Sequence, residues 1–182
     1  MIYNVHERVY PIPASWLGEL LDRIAGPDSP LWPVRRWPAM ILDGPLDVGA
    51  NGRHGPVRYR CTAYQPGRRV EFTFTWRLIK GTHTFHIRDG VRPDTCLLRH
   101  VVLGRPRGLG RVLWPVALRS LHNALLADLM DHAAESVGHP PAERARWSPW
   151  VRVLRGVLPR ARHSVREVRQ QHPAVAPGDA TR

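Results

Sequence analysis

The chain has 182 residues, 43% of them hydrophobic, which is enough for one domain with a buried core and a short appendage and excludes global disorder. Its formal net charge of +12 comes without a helix-turn-helix, zinc-finger or RNP pattern, which argues against specific nucleic-acid recognition. No apolar run reaches the roughly 18 to 20 residues that span a bilayer, and Met1-Ile2-Tyr3-Asn4-Val5-His6-Glu7 lacks the build of a secretory signal, so a cytoplasmic location is expected.

Residues 2–10 have strand character, with Tyr3, Val5 and Val9 on one face and Asn4, His6 and Arg8 on the other. Pro11 and Pro13 end that run. Trp16, Leu17, Leu20, Leu21 and Ile24 then recur at helical spacing until Gly26-Pro27 stops them. Residues 30–38 are too proline-rich for a long helix and read as a helical turn or loop carrying Trp32 and Trp37.

A series of strands with turn signals between them follows, at the spacing of an antiparallel meander. They are expected at 40–48, 54–65, 69–77, 81–87 and 95–103. The cleanest alternation is Val70, Phe72, Phe74 and Trp76 against Glu71, Thr73, Thr75 and Arg77. Such half-polar alternation implies a sheet with one wet face. Cys61 and Cys96 fall inside these runs, form no CxxC pair, and read as buried reduced thiols, a disulfide or a nucleophile being the other readings.

After the Gly- and Arg-rich break at 104–110, residues 111–137 form the longest helical pattern in the chain. Trp114, Leu118, Leu121, Leu125 and Leu129 make one stripe, with Arg119, Asn123 and Asp131 opposite. The stripe must be buried, and the meander is the only sheet to bury it against. From His139 onward nine Arg face Glu143, Glu167 and Asp179, a net six of the twelve charges. A short amphipathic helix is expected near 149–158, with Ser148 as cap, Trp150, Val153, Leu154 and Val157 on one face, and Arg152 and Arg155 pointing away. The chain beyond it reads as a disordered end. This divides the protein into a domain at 1–138 and a basic Pro/Arg-rich tail at 139–182.

The order strand, helix, two-tryptophan segment, antiparallel strands and long terminal helix resembles the START, polyketide cyclase and pollen-allergen superfamily, SRPBCC. The clearest local likeness runs from Leu98-Arg99-His100 through Pro106-Arg107-Gly108-Leu109-Gly110-Arg111 and Trp114-Pro115 to Leu121-His122-Asn123. It is similar to the last strand and closing helix of uncharacterised bacterial members and extends over about residues 1–137. The resemblance implies an α+β helix-grip fold. In it a curved antiparallel sheet of about six or seven strands wraps on a long C-terminal helix, with short helices between strands 1 and 2. It further implies a cavity for a hydrophobic or amphipathic small molecule, with no catalytic residue carried over.

Inward alternation makes Tyr59, Cys61, Phe72, Phe74, Trp76, His83, Phe85, Ile87, Leu98, His100 and Val102 candidates for the sheet wall. Leu118, Leu121, His122, Leu125 and Leu129 face them from the helix. From these the candidate ligand contacts are Tyr59, Phe72, Phe74, Trp76, His83, Phe85, His100, Leu118, His122 and Leu125, with Trp32 and Trp37 either a lid or a plug at the cavity mouth. An imidazole on an apolar face suits a hydrogen bond to a ligand or acid–base work, although its commonest role is structural. Paired carboxylates are missing from this set: Glu71 and Asp131 are expected on outer faces and Asp128 at the stripe's edge. No metal or cofactor is expected, since the histidine spacing matches no ligand motif. The primary expectation is binding or transport of a hydrophobic or amphipathic small molecule. A cyclase- or dehydratase-like enzyme using the pocket histidines is the second. Weak contact with an anionic membrane through residues 147–169 is the third.

Overall fold

Residues that alternate between apolar and polar can satisfy a core and solvent at once only as strands. The computed structural model, which describes residues 1–157, contains seven: β1 (Ile2–Tyr10), β2 (Ile41–Leu42), β3 (Asn51–His54), β4 (Val57–Gln65), β5 (Arg69–Phe74), β6 (Ile79–Asp89) and β7 (Cys96–Pro106). They form one antiparallel sheet in the order β1-β7-β6-β5-β4-β3-β2, a meander whose free β7 edge is closed by β1. A long helix lies on its concave face, so the fold is the helix grip. The expected end of the tail helix at Leu158 and the disordered terminus lie outside the described residues.

β6 and β7 run past the expected 81–87 and 95–103, and three other strand boundaries differ from expectation for a local reason. Only Ile41–Leu42 of the 40–48 run joins the sheet, because Gly44-Pro45 opens a loop. The 54–65 run begins instead as a hairpin: Gly55, at φ 53°, and Pro56 reverse the chain between β3 and β4. β5 stops at Phe74, and Trp76 leaves the ladder while remaining on the inner side.

Helix α1 (Ala14–Asp22) crosses the sheet on Leu17 and Leu21, both fully buried, whereas Trp16 is exposed. Gly18 sits against the backbone of Gly67, where a Cβ would lie 2.7 Å from the carbonyl oxygen, so the helix approaches the β4–β5 turn as closely as glycine permits. The Asp22 carboxylate locks this contact by accepting from the Gly67 N–H at 2.7 Å and the Tyr64 hydroxyl at 3.0 Å. The two-tryptophan segment is a chain of turns organised by Ser29, whose hydroxyl oxygen accepts from the Leu31 and Trp32 backbone N–H groups.

The closing helix is continuous but not uniform. α2 (Gly110–Leu113) passes through a π-helical turn, Trp114–Leu118, into α3 (Arg119–Ser136). Pro115 has no N–H to give to the α-helical ladder, and the chain accommodates it with the wider turn. The polar side of α3 departs from expectation. Asn123 accepts from Asn4 Nδ2 at 3.0 Å and bonds His6 Nε2 at 3.1 Å, and the buried Asp131 pairs with Arg8 at 2.7 Å. These residues face β1 rather than water. Correspondingly, the polar face of β1 turns inward while Tyr3 and Val9 are exposed.

The tail docks on this domain as far as it is described. α4 (Pro149–Val157) buries Val151 and half-buries Leu154 and Arg155, leaving Trp150, Val153 and Val157 exposed. The face turned to the domain is therefore not the expected one: Arg155 points in. Cys61 and Cys96 are buried free thiols, and burial pushes the Cys96 thiol up to about 11.

Candidate functional site

Between β4–β7, the π-turn and the start of α3 lies an apolar cavity of about 160 Å³. Strand alternation aims His83, Phe85, His100 and Val102 into it, and one helical face adds Trp114, Leu118, Leu121, His122 and Leu125. Phe74 and Trp76 complete the sheet side, while Trp32, Trp37, His54 and Arg155 close the rest. A second concavity around Arg36, Arg144, Arg146 and Arg152 is an open groove on the surface, without the enclosure of a small-molecule site.

Of the residues singled out from the sequence, Phe74, Trp76, His83, Phe85, His100, Leu118, His122 and Leu125 all border this space. Tyr59 and Phe72 stand behind it. Their rings pack on His83 at 5.0–5.1 Å together with Phe74, so His83 is gripped by three aromatic rings, the two phenylalanines stacked on it and Tyr59 edge-on. His100 lies 4.4 Å from the Phe85 ring and 5.1 Å from His122, and His122 in turn lies 5.9 Å from His6 and 6.2 Å from Trp114. His54, absent from the sequence-derived set, packs at a tilt against Trp32, ring centroids 5.0 Å apart, and its Nδ1 lies 3.4 Å from the Tyr59 hydroxyl.

The electrostatics of these imidazoles follow from burial. Desolvation penalises the charged ring and lowers all four, His54 to about 4 and His122 to about 3. His83 and His100 are lowered too, and their histidine neighbours add to the effect. All four are neutral at physiological pH, so each presents one N–H and one lone pair. His83 Nε2, His100 Nδ1 and His122 Nδ1 are buried with no hydrogen-bond partner. Among the described residues no cluster of His, Cys, Asp or Glu has the arrangement of a metal site.

The outer wall is held by a buried acid. Asp128, expected at the edge of the leucine stripe, is enclosed. It accepts from Arg36 Nη1 at 2.6 Å, Trp37 Nε1 at 2.6 Å and Trp147 Nε1 at 2.8 Å. The Trp32 indole donates to the Pro38 carbonyl at 2.9 Å. Both tryptophans are thus anchored, with α4 fastened outside them by Trp150 Nε1 donating to the Val116 carbonyl of the π-turn at 2.7 Å. Arg155 reaches over Trp37, its guanidinium carbon 4.7 Å from the ring centroid. Nothing in the tail's charge pattern singles out Arg155. The spacing of Val151, Leu154 and Arg155 on one helical face was the available signal.

No family model matches the chain, and no curated protein matches it. Solved structures do. CalU16 from Micromonospora echinospora superposes with a TM-score of 0.55 at 15% identity, over 85% of this chain and 81% of that one. Norcoclaurine synthase from Thalictrum flavum gives 0.58 at 12% identity, over 75% and 92%. The chain shares their helix-grip fold. A protein of Nitrosospira multiformis, at 0.57 and 15% identity over 75% and 99%, agrees in the same way. At these identities the shared property is the helix-grip architecture, and residue roles rest on this chain alone. Among the described residues no helix is long and apolar enough to cross a membrane.

Proposed function

We propose that this protein binds a small amphipathic molecule in the cavity between sheet and closing helix, holding its polar group with neutral histidines. The observation that carries the reading is the set of buried, unpartnered ring nitrogens on His83, His100 and His122, all beside the same apolar space. Each leaves a desolvated polar atom without compensation, at about 1–3 kcal/mol, which a ligand hydroxyl or carbonyl would recover.

Size narrows the class. The cavity is about as large as the roughly 150 Å³ void that accepts benzene and smaller than a typical drug-sized site. A single ring or a short branched chain fits, whereas a long acyl chain requires the Trp32–Trp37 wall to move. In this reading Trp32 and Trp37 form the lid, with α4 as its outer fastening, and Tyr59 and Phe72 orient His83 rather than touching the ligand. Acid–base catalysis would call for an imidazole titrating near neutrality. Burial lowers His83, His100 and His122, which favours binding over turnover.

Native mass spectrometry of freshly purified protein, followed by thermal shift with single-ring phenols and with long-chain fatty acids, tests the reading. A retained small molecule, or stabilisation by the phenols and not the fatty acids, is the expected result. The absence of both overturns it.

A further inference from the structure

Among the described residues the cavity wall holds one permanently charged group, Arg155, and no acid. Its surroundings are those of an incomplete ion pair. Nη2 donates to the Arg36 carbonyl at 2.8 Å, the guanidinium lies over Trp37, and Nε is buried with no partner. Among the described residues no carboxylate forms an ion pair with it. Asp128, whose charge it feels, is saturated by Arg36, Trp37 and Trp147. An arginine does not release its proton, so the charge stays on the wall at any physiological pH. The histidines across the cavity are neutral and give it no counter-charge.

We infer that Arg155 receives the acidic group of the ligand, which is therefore an amphipathic monocarboxylate: an apolar body in the cavity, an anion against the guanidinium, and a hydroxyl or carbonyl toward the histidines. This deepens the binding reading above and rests on it. The planar fork, with Nε already unoccupied, matches a carboxylate, and the indole stacked on its face holds the fork in place. The ligand's charge would be met by a group of the tail, so α4 belongs to the site as well as to its closure.

The experiment is calorimetric titration of the full chain with two probes sharing one ring, 4-hydroxybenzoate and its neutral counterpart 4-hydroxybenzyl alcohol, on wild type, R155Q and R155K. Wild type should bind the acid roughly tenfold or more tightly than the alcohol, the usual scale of a hydrogen bond to a charged group. R155Q should lose that preference while keeping its affinity for the alcohol, and R155K, a point charge without the fork, should recover it only in part. Equal binding of the two probes by wild type, an acid preference that survives in R155Q, or an equal loss of both probes in R155Q overturns the role of Arg155. The first two of those results leave the cavity reading standing. If wild type binds neither probe, both readings fall together.

Discussion

The two ends of the closing helix are built from similar residues and do opposite things. Toward its C-terminus, Leu129, Met130, Ala133 and Ala134 are all buried, and the acids among them, Asp128 and Asp131, have partners at both carboxylate oxygens. Toward its N-terminus the π-turn buries no residue, and His122 is left with an orphaned nitrogen. A polar group in a finished core is saturated, and one beside a vacant apolar space is not. The contrast separates scaffold from site more sharply than hydrophobicity does, since leucines line both halves.

Removing one polar group from each half should give the widest difference. Asp128→Ala leaves the Arg36 charge and two indole N–H groups without their acceptor and should cost about 3–5 kcal/mol, read by urea denaturation. His122→Phe, which replaces an unsatisfied ring with an apolar one, should stay within about 1 kcal/mol of wild type. Equal losses would erase the distinction between the two halves.

Acid should strike the cavity half next. Well above pH 6.5 the buried histidines are neutral in both the folded and unfolded chain and contribute no pH dependence. As pH falls below 6.5, the unfolded chain takes up protons that the folded chain refuses, down to about 4 for His54 and about 3 for His122. Stability should therefore drop on acidification by about 1.4 kcal/mol per pH unit for each such histidine. Denaturation at pH 7.0, 6.0 and 5.0 measures the slope, and His122→Phe should reduce it. A flat profile over that window would show these rings to be solvated.

The smallest effect belongs to the fastening between halves. Trp150→Phe removes the bond to the Val116 carbonyl and part of the ring, at an exposed site, and should cost about 0.5 kcal/mol overall. Its signature is local: faster hydrogen exchange in α4, with β6 and β7 unchanged. Loss of protection across the whole sheet would mean α4 is integral to the core.

How much of this was legible in the residues varies with the range of the interaction. The Phe72–Trp76 alternation, the meander and the leucine stripe depend on neighbours two to four positions apart, and the helix grip follows from them. The inward polar face of β1 was hidden because its justification, Asn123 and Asp131, lies 117 to 123 residues away. Asp131 reads as a surface acid and Asp128 as one at the stripe's edge for the same reason: their partners arrive from β1, from the Trp37 segment and from the tail. Arg155 reads as outward because hydrophobic periodicity sends an arginine to solvent, and only the indole faces of Trp37 and Trp147 make an inward guanidinium acceptable.

The order of apolar and polar residues along the chain by itself determined the sheet, the helix that covers it and the placement of three histidines on inner faces, because period and burial are local properties. Whether the space between sheet and helix is filled was decided by tertiary structure. The π-turn at Pro115, the anchoring of Trp37 by Asp128 and the return of α4 across the outer wall set how far the helix stands from the strands, and no spacing in the sequence encodes that distance.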